Sequence, residues 1–213
     1  MEISQLFSVS GKVAVVTGGS RGIGEMISAG FLANGVKVYI TARKEEPLIK
    51  KAEELSNKYN GACIPVACDL SSSIGIDYLV RKVHEQEKAI DFLINNAGAA
   101  WGEPYDEFSE VGWDKVMDLN VKSLFFLTQK LTEMLKVRAT GDDPSRVINI
   151  GSIDGLNVPA FETYSYSTSK AAVHHLTRVM AAKLVKENIL VNAIAPGPYP
   201  SQMLGSAVDH DYS

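Results

Sequence analysis

The stretch that most constrains how this chain can fold is VAVVTGGSRGIG, residues 13–24, where a run of apolar, mostly β-branched residues ends in four glycines within seven positions. The apolar run reads as a buried strand and the glycines as its turn into a helix. Gly18, Gly22 and Gly24 remove Cβ atoms where the backbone must turn tightly, approach a ligand's phosphates and pack the new helix close to the strand. The first N–H groups of that helix then face an anion. Strand-to-helix turns also use glycine without binding anything, so this turn alone identifies no ligand.

The chain has 213 residues, of which 46% are hydrophobic, enough for one sizeable core and one domain over 1–213. A net charge of -4, with basic residues scattered, gives no footprint for nucleic acid or an anionic membrane. No apolar run approaches the roughly 18 residues that span a bilayer. The start, MEISQLFSVS, has neither a basic segment nor transit-peptide arginines, so a soluble, cytoplasmic protein is expected. Cys63 and Cys68, five apart on an expected strand, point to opposite faces and read as free thiols. The four histidines make no metal constellation: His174 and His175 are adjacent, and His84 and His210 stand alone.

Apolar runs and helical periods alternate along the rest of the chain. Strands are expected at 12–17, 36–41, 62–67, 90–95, 146–150 and 189–195. Helices are expected at 22–34, closed by Gly35, then at 44–59, 74–87, 112–137 as one long helix, and 163–187. Continuous apolar strands alternating with helices imply right-handed crossovers and a parallel sheet covered on both faces. The expected fold is therefore a doubly wound α/β (Rossmann) sheet of six strands, with ligands bound beyond the strands' carboxyl ends.

In such a fold an acid at the end of strand two would bond the ribose 2′-hydroxyl and select NAD. This chain has Thr41-Ala42-Arg43-Lys44 there, and Arg43, with Arg21 in the glycine turn, favours a 2′-phosphate, hence NADP(H). Arg43 also fits an ordinary solvated charge at a helix start. Asp69, after strand three, is placed either to accept from the adenine amino group or to cap the next helix. Ser152 follows strand five, and Tyr166 and Lys170 lie four apart on one helix face. A lysine ammonium beside a tyrosine favours the phenolate and makes the tyrosine a usable acid/base, while Ser152 can hydrogen-bond the same substrate oxygen. Without context, Tyr-x-x-x-Lys is also common surface decoration.

Together these residues resemble the short-chain dehydrogenase/reductases: Thr17-Gly18-x-x-x-Gly22-x-Gly24, Asp69, Asn95-Asn96-Ala97-Gly98, Asn120, Ser152, Tyr166-x-x-x-Lys170 and Pro196-Gly197, in the family's order. The resemblance implies hydride transfer between NADP(H) and a ketone or secondary alcohol. It makes Tyr166 the general acid/base, Lys170 the residue that lowers its pKa and holds the nicotinamide ribose, and Ser152 the group that positions the substrate oxygen. Asn120 would hold a water in a proton relay to Lys170. The implied cofactor set is Thr17, Gly18, Ser20, Arg21, Gly22, Ile23, Gly24, Arg43, Asp69, Asn96, Ala97, Gly98, Tyr166, Lys170, Pro196 and Gly197. Tyr164 lacks a lysine four residues on and receives no catalytic role.

Within the family, ARKEE, SRVINIGSID, ETYSYSTSKAAVHHLTR and APGPYPSQM look most like 3-oxoacyl-thioester reductases of the rhamnolipid-pathway type and their fungal relatives. A polyketide or terpenoid alcohol dehydrogenase would keep the same motifs. Trp101, Tyr105, Leu156 and Phe161 are candidates for the substrate side or for loop packing. Family members continue past Pro196-Gly197 with a substrate-covering segment and a seventh strand, for which 198–213 is too short, so strand six is expected as an unpaired edge. A homodimer through helices 112–137 and 163–187 is expected, with Ser169, Ala171 and Ala172 at its interface. A cofactor-binding short form with little turnover, and a purely structural subunit, are the alternatives to the reductase.

Overall fold

Each apolar run of the sequence becomes a strand of one parallel sheet in the computed structural model, which describes residues 7–198. The strands are β1 (Val13–Val16), β2 (Lys37–Ala42), β3 (Cys63–Ala67), β4 (Phe92–Asn95), β5 (Ser145–Ile150) and β6 (Ile189–Ile194). Among the described residues they lie in the order β3-β2-β1-β4-β5-β6, every neighbouring pair parallel. The helices are α1 (Gly22–Ala33), α2 (Glu45–Tyr59), α3 (Ser73–His84), α4 (Glu110–Met117), α5 (Ser123–Lys136) and α6 (Tyr164–Leu184). This is the doubly wound fold, with its switch point between β1 and β4.

Period-two alternation divides the core between the two faces. From β1, Val13 and Val15 join Tyr39, Leu93, Val147 and residues of α3, α5 and α6. Ala14 and Val16 join Val38, Ile40, Ile94 and residues of α1 and α2 on the other face. Under the carboxyl ends of β4 and β5 a buried polar chain crosses the helix layer. Asn95 donates to Thr128 Oγ1 (3.1 Å) and to Asn149 Oδ1 (2.9 Å), and Asn149 donates to Thr177 Oγ1 (2.8 Å). Every bond in it is between short side chains, so it ties α5 and α6 to the sheet without a buried charge.

Most expected boundaries shift by one to three residues, because end turns fray into neighbouring bends. The expected long helix at 112–137 is the larger correction. It starts at Glu110 and is interrupted by a π-helical turn, Asp118–Lys122, that carries Asn120. One inserted residue leaves the apolar period nearly intact, so periodicity does not reveal it. Asp69 does not cap α3 either: Ser72 does, accepting from Gly75 N at 3.1 Å. Cys63 and Cys68 are free thiols, and burial pushes both up to about 12. Among the described residues no helix is long and apolar enough to cross a membrane, and no group of His, Cys, Asp or Glu could hold a metal ion. Within that range β6 pairs with β5 alone. Residues 199–213, on which the expectation about a missing seventh strand rests, lie outside it.

Candidate active site

The turn after β1 is shaped by close approach. Gly18 and Gly22 sit at φ +63° and +56°, and a Cβ on Gly24 would collide with the Gly18 carbonyl and lie 2.5 Å from Asn96 Nδ2. Thr17, only 2% exposed, spends its whole hydroxyl inside the protein. It donates to the Ile94 carbonyl (3.2 Å) and accepts from Asn96 N and Ala97 N (both 2.9 Å). Asn96 answers by donating to the carbonyls of Thr17 (2.9 Å) and Gly18 (3.2 Å), and Thr41 Oγ1 accepts from Gly18 N at 3.2 Å. Thr17 and Asn96 therefore join the loops on either side of the switch point, and Gly18 is held at its Cα-only approach.

Ser20, Arg21, Gly22 and Ile23 lead from this turn into α1, with Arg21 in the cap position in extended conformation. An arginine brings no acceptor to the first-turn N–H groups, so that helix start suits an anion. Arg43, exposed, directly follows β2. Asp69, also exposed, accepts at Oδ1 from Ser71 N (3.0 Å) and Ser71 Oγ (2.8 Å) beyond β3. Pro196 and Gly197 follow β6, and the Pro196 carbonyl accepts from Ile153 N at 3.1 Å, tying that exit to the loop after β5.

On the other side of the crevice, Ser152, Tyr166 and Lys170 come together. Ser152 Oγ accepts from Asp154 N at 3.1 Å and lies near enough to the Tyr166 phenol to favour its phenolate. Lys170, 6% exposed, donates to the Ile150 carbonyl at 2.8 Å and holds its ammonium nitrogen 5.5 Å from the Tyr166 ring centroid. That nitrogen also lies beside Gly98, 3.7 Å from where a Cβ would be, so the loop after β4 reaches the same point.

One expectation changes here. Tyr166 is raised above its usual value, not lowered: burial of the phenol outweighs the Ser152 hydroxyl, which alone favours the phenolate, and Asp154 adds to the rise. Lys170 is itself pushed down to about 8 by burial. The two groups thus share one dry site in which each disfavours its charged form. Asn120, 3% exposed, commits its side chain to protein partners. Its Oδ1 accepts from Ala99 N (2.8 Å), and its two amide protons go to the Ala99 carbonyl (3.0 Å) and Ser169 Oγ (2.9 Å). It clamps the loop after β4 to α6.

Ser169, fully buried, then donates to the Tyr166 carbonyl at 2.7 Å, so it faces inward and is not on the expected dimer surface. Sequence reasoning missed Ser169 and Thr41 as site-shaping residues. Ser169 sits three residues after Tyr166, a spacing that places both on neighbouring parts of one helix face, and this was the available signal. Among the substrate-side candidates, Trp101 packs against Gly112 with Lys115 Nζ 4.3 Å from its ring centroid, while Tyr105 stands edge-on to Tyr164 at 5.6 Å. Leu156 and Phe161 are exposed.

A model of the short chain dehydrogenase family matches residues 12–211. This chain belongs to that family. It is 45% identical over 197 residues to the rhamnolipid-biosynthesis 3-oxoacyl-acyl-carrier-protein reductase of Pseudomonas aeruginosa, covering 92% of this chain and 76% of that protein. Over 202 residues it is 37% identical to 2-dehydro-3-deoxy-D-gluconate 5-dehydrogenase of Dickeya dadantii, covering 92% and 74%. Among solved structures, the Pseudomonas aeruginosa RhlG/NADP active-site complex superposes with a TM-score of 0.91 at 43% identity, covering 97% of this chain and 80% of that one. In this short-chain dehydrogenase every candidate residue of the site except those of the α1 start follows the carboxyl end of a strand or lies on α6 or the π-helical turn.

Proposed function

We propose that this short-chain dehydrogenase is a ketone reductase that uses NADPH and reduces a 3-oxoacyl thioester or a related β-keto compound. The observation that carries the reading is the Ser152, Tyr166 and Lys170 cluster at the carboxyl end of β5, with the Tyr166 phenol held protonated by burial. A phenol that keeps its proton at neutral pH is the form that reduction needs, because the carbonyl oxygen gains a proton as its carbon gains a hydride.

The residues present fit a dinucleotide. A Cβ on Gly24 would fill the cradle beside Gly18 and Asn96, the start of α1 offers N–H groups, and exposed Arg43 directly after β2 would suit a 2′-phosphate. The relatives support the choice of cofactor, since the similar Pseudomonas structure is an NADP complex. When bound, NADPH supplies the hydride. Ser152 orients the substrate oxygen and Tyr166 donates its proton to that oxygen. The resulting phenolate faces the nearby Lys170 ammonium, so charge that burial opposes in the resting site is stabilised as it forms.

An apolar substrate is supported by Leu156, Val158 and Phe161, exposed in the loop before α6, with Val158 96% exposed. The 3-oxoacyl-reductase relative points the same way. A homodimer through α5 and α6 is supported by the exposed pair Phe125 and Phe126, edge-on at 5.2 Å, and by exposed Val179. The free thiols fit a reducing, cytoplasmic setting, and the single sheet with both faces covered supports one nucleotide-binding domain.

The test is NADPH consumption by the purified protein with a short 3-oxoacyl thioester, beside Tyr166→Phe. Turnover abolished by that substitution is expected. A protein that binds NADPH yet reduces no member of a broad ketone panel would overturn the reading.

A further inference from the structure

His174 is a buried titratable residue, 8% exposed, that the reaction described above does not use. It lies one helical turn beyond Lys170 as Lys170 lies one turn beyond Tyr166, so the three share one stripe of α6. Each member of the stripe engages the same short segment. Tyr166 neighbours the Ser152 hydroxyl, Lys170 donates to the Ile150 carbonyl at 2.8 Å, and His174 Nε2 meets the Ser152 carbonyl at 3.0 Å. A carbonyl oxygen only accepts, so Nε2 carries the hydrogen and donates it.

The space beside this bond is filled. A Cβ on Gly151 would lie 2.7 Å from His174 Nε2 and collide with the ring edge, so the imidazole at 174 requires glycine at 151. Ser152 is then held at both ends. Its carbonyl accepts from His174 and from Gly155 N (3.1 Å), and its hydroxyl oxygen accepts from Asp154 N (3.1 Å), which leaves its own proton free to donate beside Tyr166.

We propose that His174 is a positioning residue: its Nε2–H bond to the Ser152 carbonyl fixes the Ser152 hydroxyl against Tyr166. The proposal rests on the ketone-reductase reading for its effect on turnover, though not for its effect on the loop. A displacement of Ser152 by a fraction of an ångström to one ångström removes alignment that the reacting oxygen needs, while leaving the nucleotide side of the crevice untouched.

The experiment compares His174→Leu, which keeps bulk and loses the donor, with His174→Gln, whose amide nitrogen reaches a similar distance and can donate. For folded His174→Leu, kcat is expected to fall about 10- to 100-fold with KM for NADPH and ketone within about twofold, and His174→Gln is expected to recover to within about threefold of wild type. Hydrogen exchange at the Asp154 amide, which needs no substrate, is expected to quicken in His174→Leu and to stay near wild type in His174→Gln. Unchanged kcat in His174→Leu, or equal impairment in both variants, would overturn the proposal. If the unaltered protein reduces no ketone, the reductase reading fails by itself, and the exchange comparison decides the positioning role: quickened exchange in His174→Leu alone supports it, and equal exchange in all three proteins overturns it.

Discussion

The turn after β1 takes its shape from glycines and short hydroxyl bonds within the backbone layer, whereas the loop after β5 takes its shape from long side chains that reach it from α6. In the first, Thr17, Thr41 and Asn96 bind main-chain groups of neighbouring strands at 2.9 to 3.2 Å. In the second, Lys170 and His174 hold the Ile150 and Ser152 carbonyls at 2.8 and 3.0 Å. One half is a hydrogen-bonded cradle whose defects are expected to appear as lost stability or lost cofactor affinity. The other, on the reading proposed above, aligns the reacting groups, and its defects are expected to appear as lost turnover.

Substitutions can break that contrast, and the largest effect belongs to the loop after β5. Tyr166→Phe removes the proton donor and is expected to lower kcat by about 10³- to 10⁴-fold, with NADPH affinity by fluorescence titration unchanged. Lys170→Met is expected to lower kcat by about 10²- to 10³-fold. It also carries a pH signature. Lys170 falls from 10.5 in the unfolded chain to about 8 in the fold, so between those values the unfolded state binds more protons and folding stability rises with pH. The gain approaches about 3 kcal/mol across that window. Lys170→Met abolishes it, so the melting temperature of wild type minus that of the variant should climb from pH 7.5 to pH 10; a flat difference would contradict the buried ammonium.

On the cradle side the expected effects are smaller and of another kind. Gly24→Val drives a side chain into the Gly18 carbonyl and Asn96, and is expected to destabilise the fold by about 3 kcal/mol in urea unfolding and to abolish NADPH binding. Thr17→Val removes one donated and two accepted bonds and is expected to destabilise by about 2 kcal/mol, with kcat per folded molecule close to wild type. Arg43→Ala should weaken NADPH about tenfold and leave NADH unchanged. Equal weakening of both cofactors would show that Arg43 does not read the 2′-phosphate.

How much of this was legible in the sequence follows the same division. The strands and the cradle were readable because β-branched runs and glycine spacings are local properties, and β1 to β6 fall within two residues of their expected places. The π-helical turn at Asn120 was not, because a single extra residue hardly alters an apolar stripe. Nor were the side-chain commitments of Thr17, Asn120 and Ser169, which depend on which loop each element meets in space. The direction of the Tyr166 shift was misread for a related reason. Lys170 four residues away is visible in the sequence, but the burial of the phenol, which sets the direction of its shift, is a tertiary property.

The most direct single measurement follows one hydride. With NADPH deuterated at the transferring position of nicotinamide C4 and a short 3-oxoacyl thioester, mass spectrometry of the product should show one deuterium on the new carbinol carbon, and none formed by Tyr166→Phe. A product without deuterium, or full transfer by Tyr166→Phe, would contradict reduction through the Ser152, Tyr166 and Lys170 cluster.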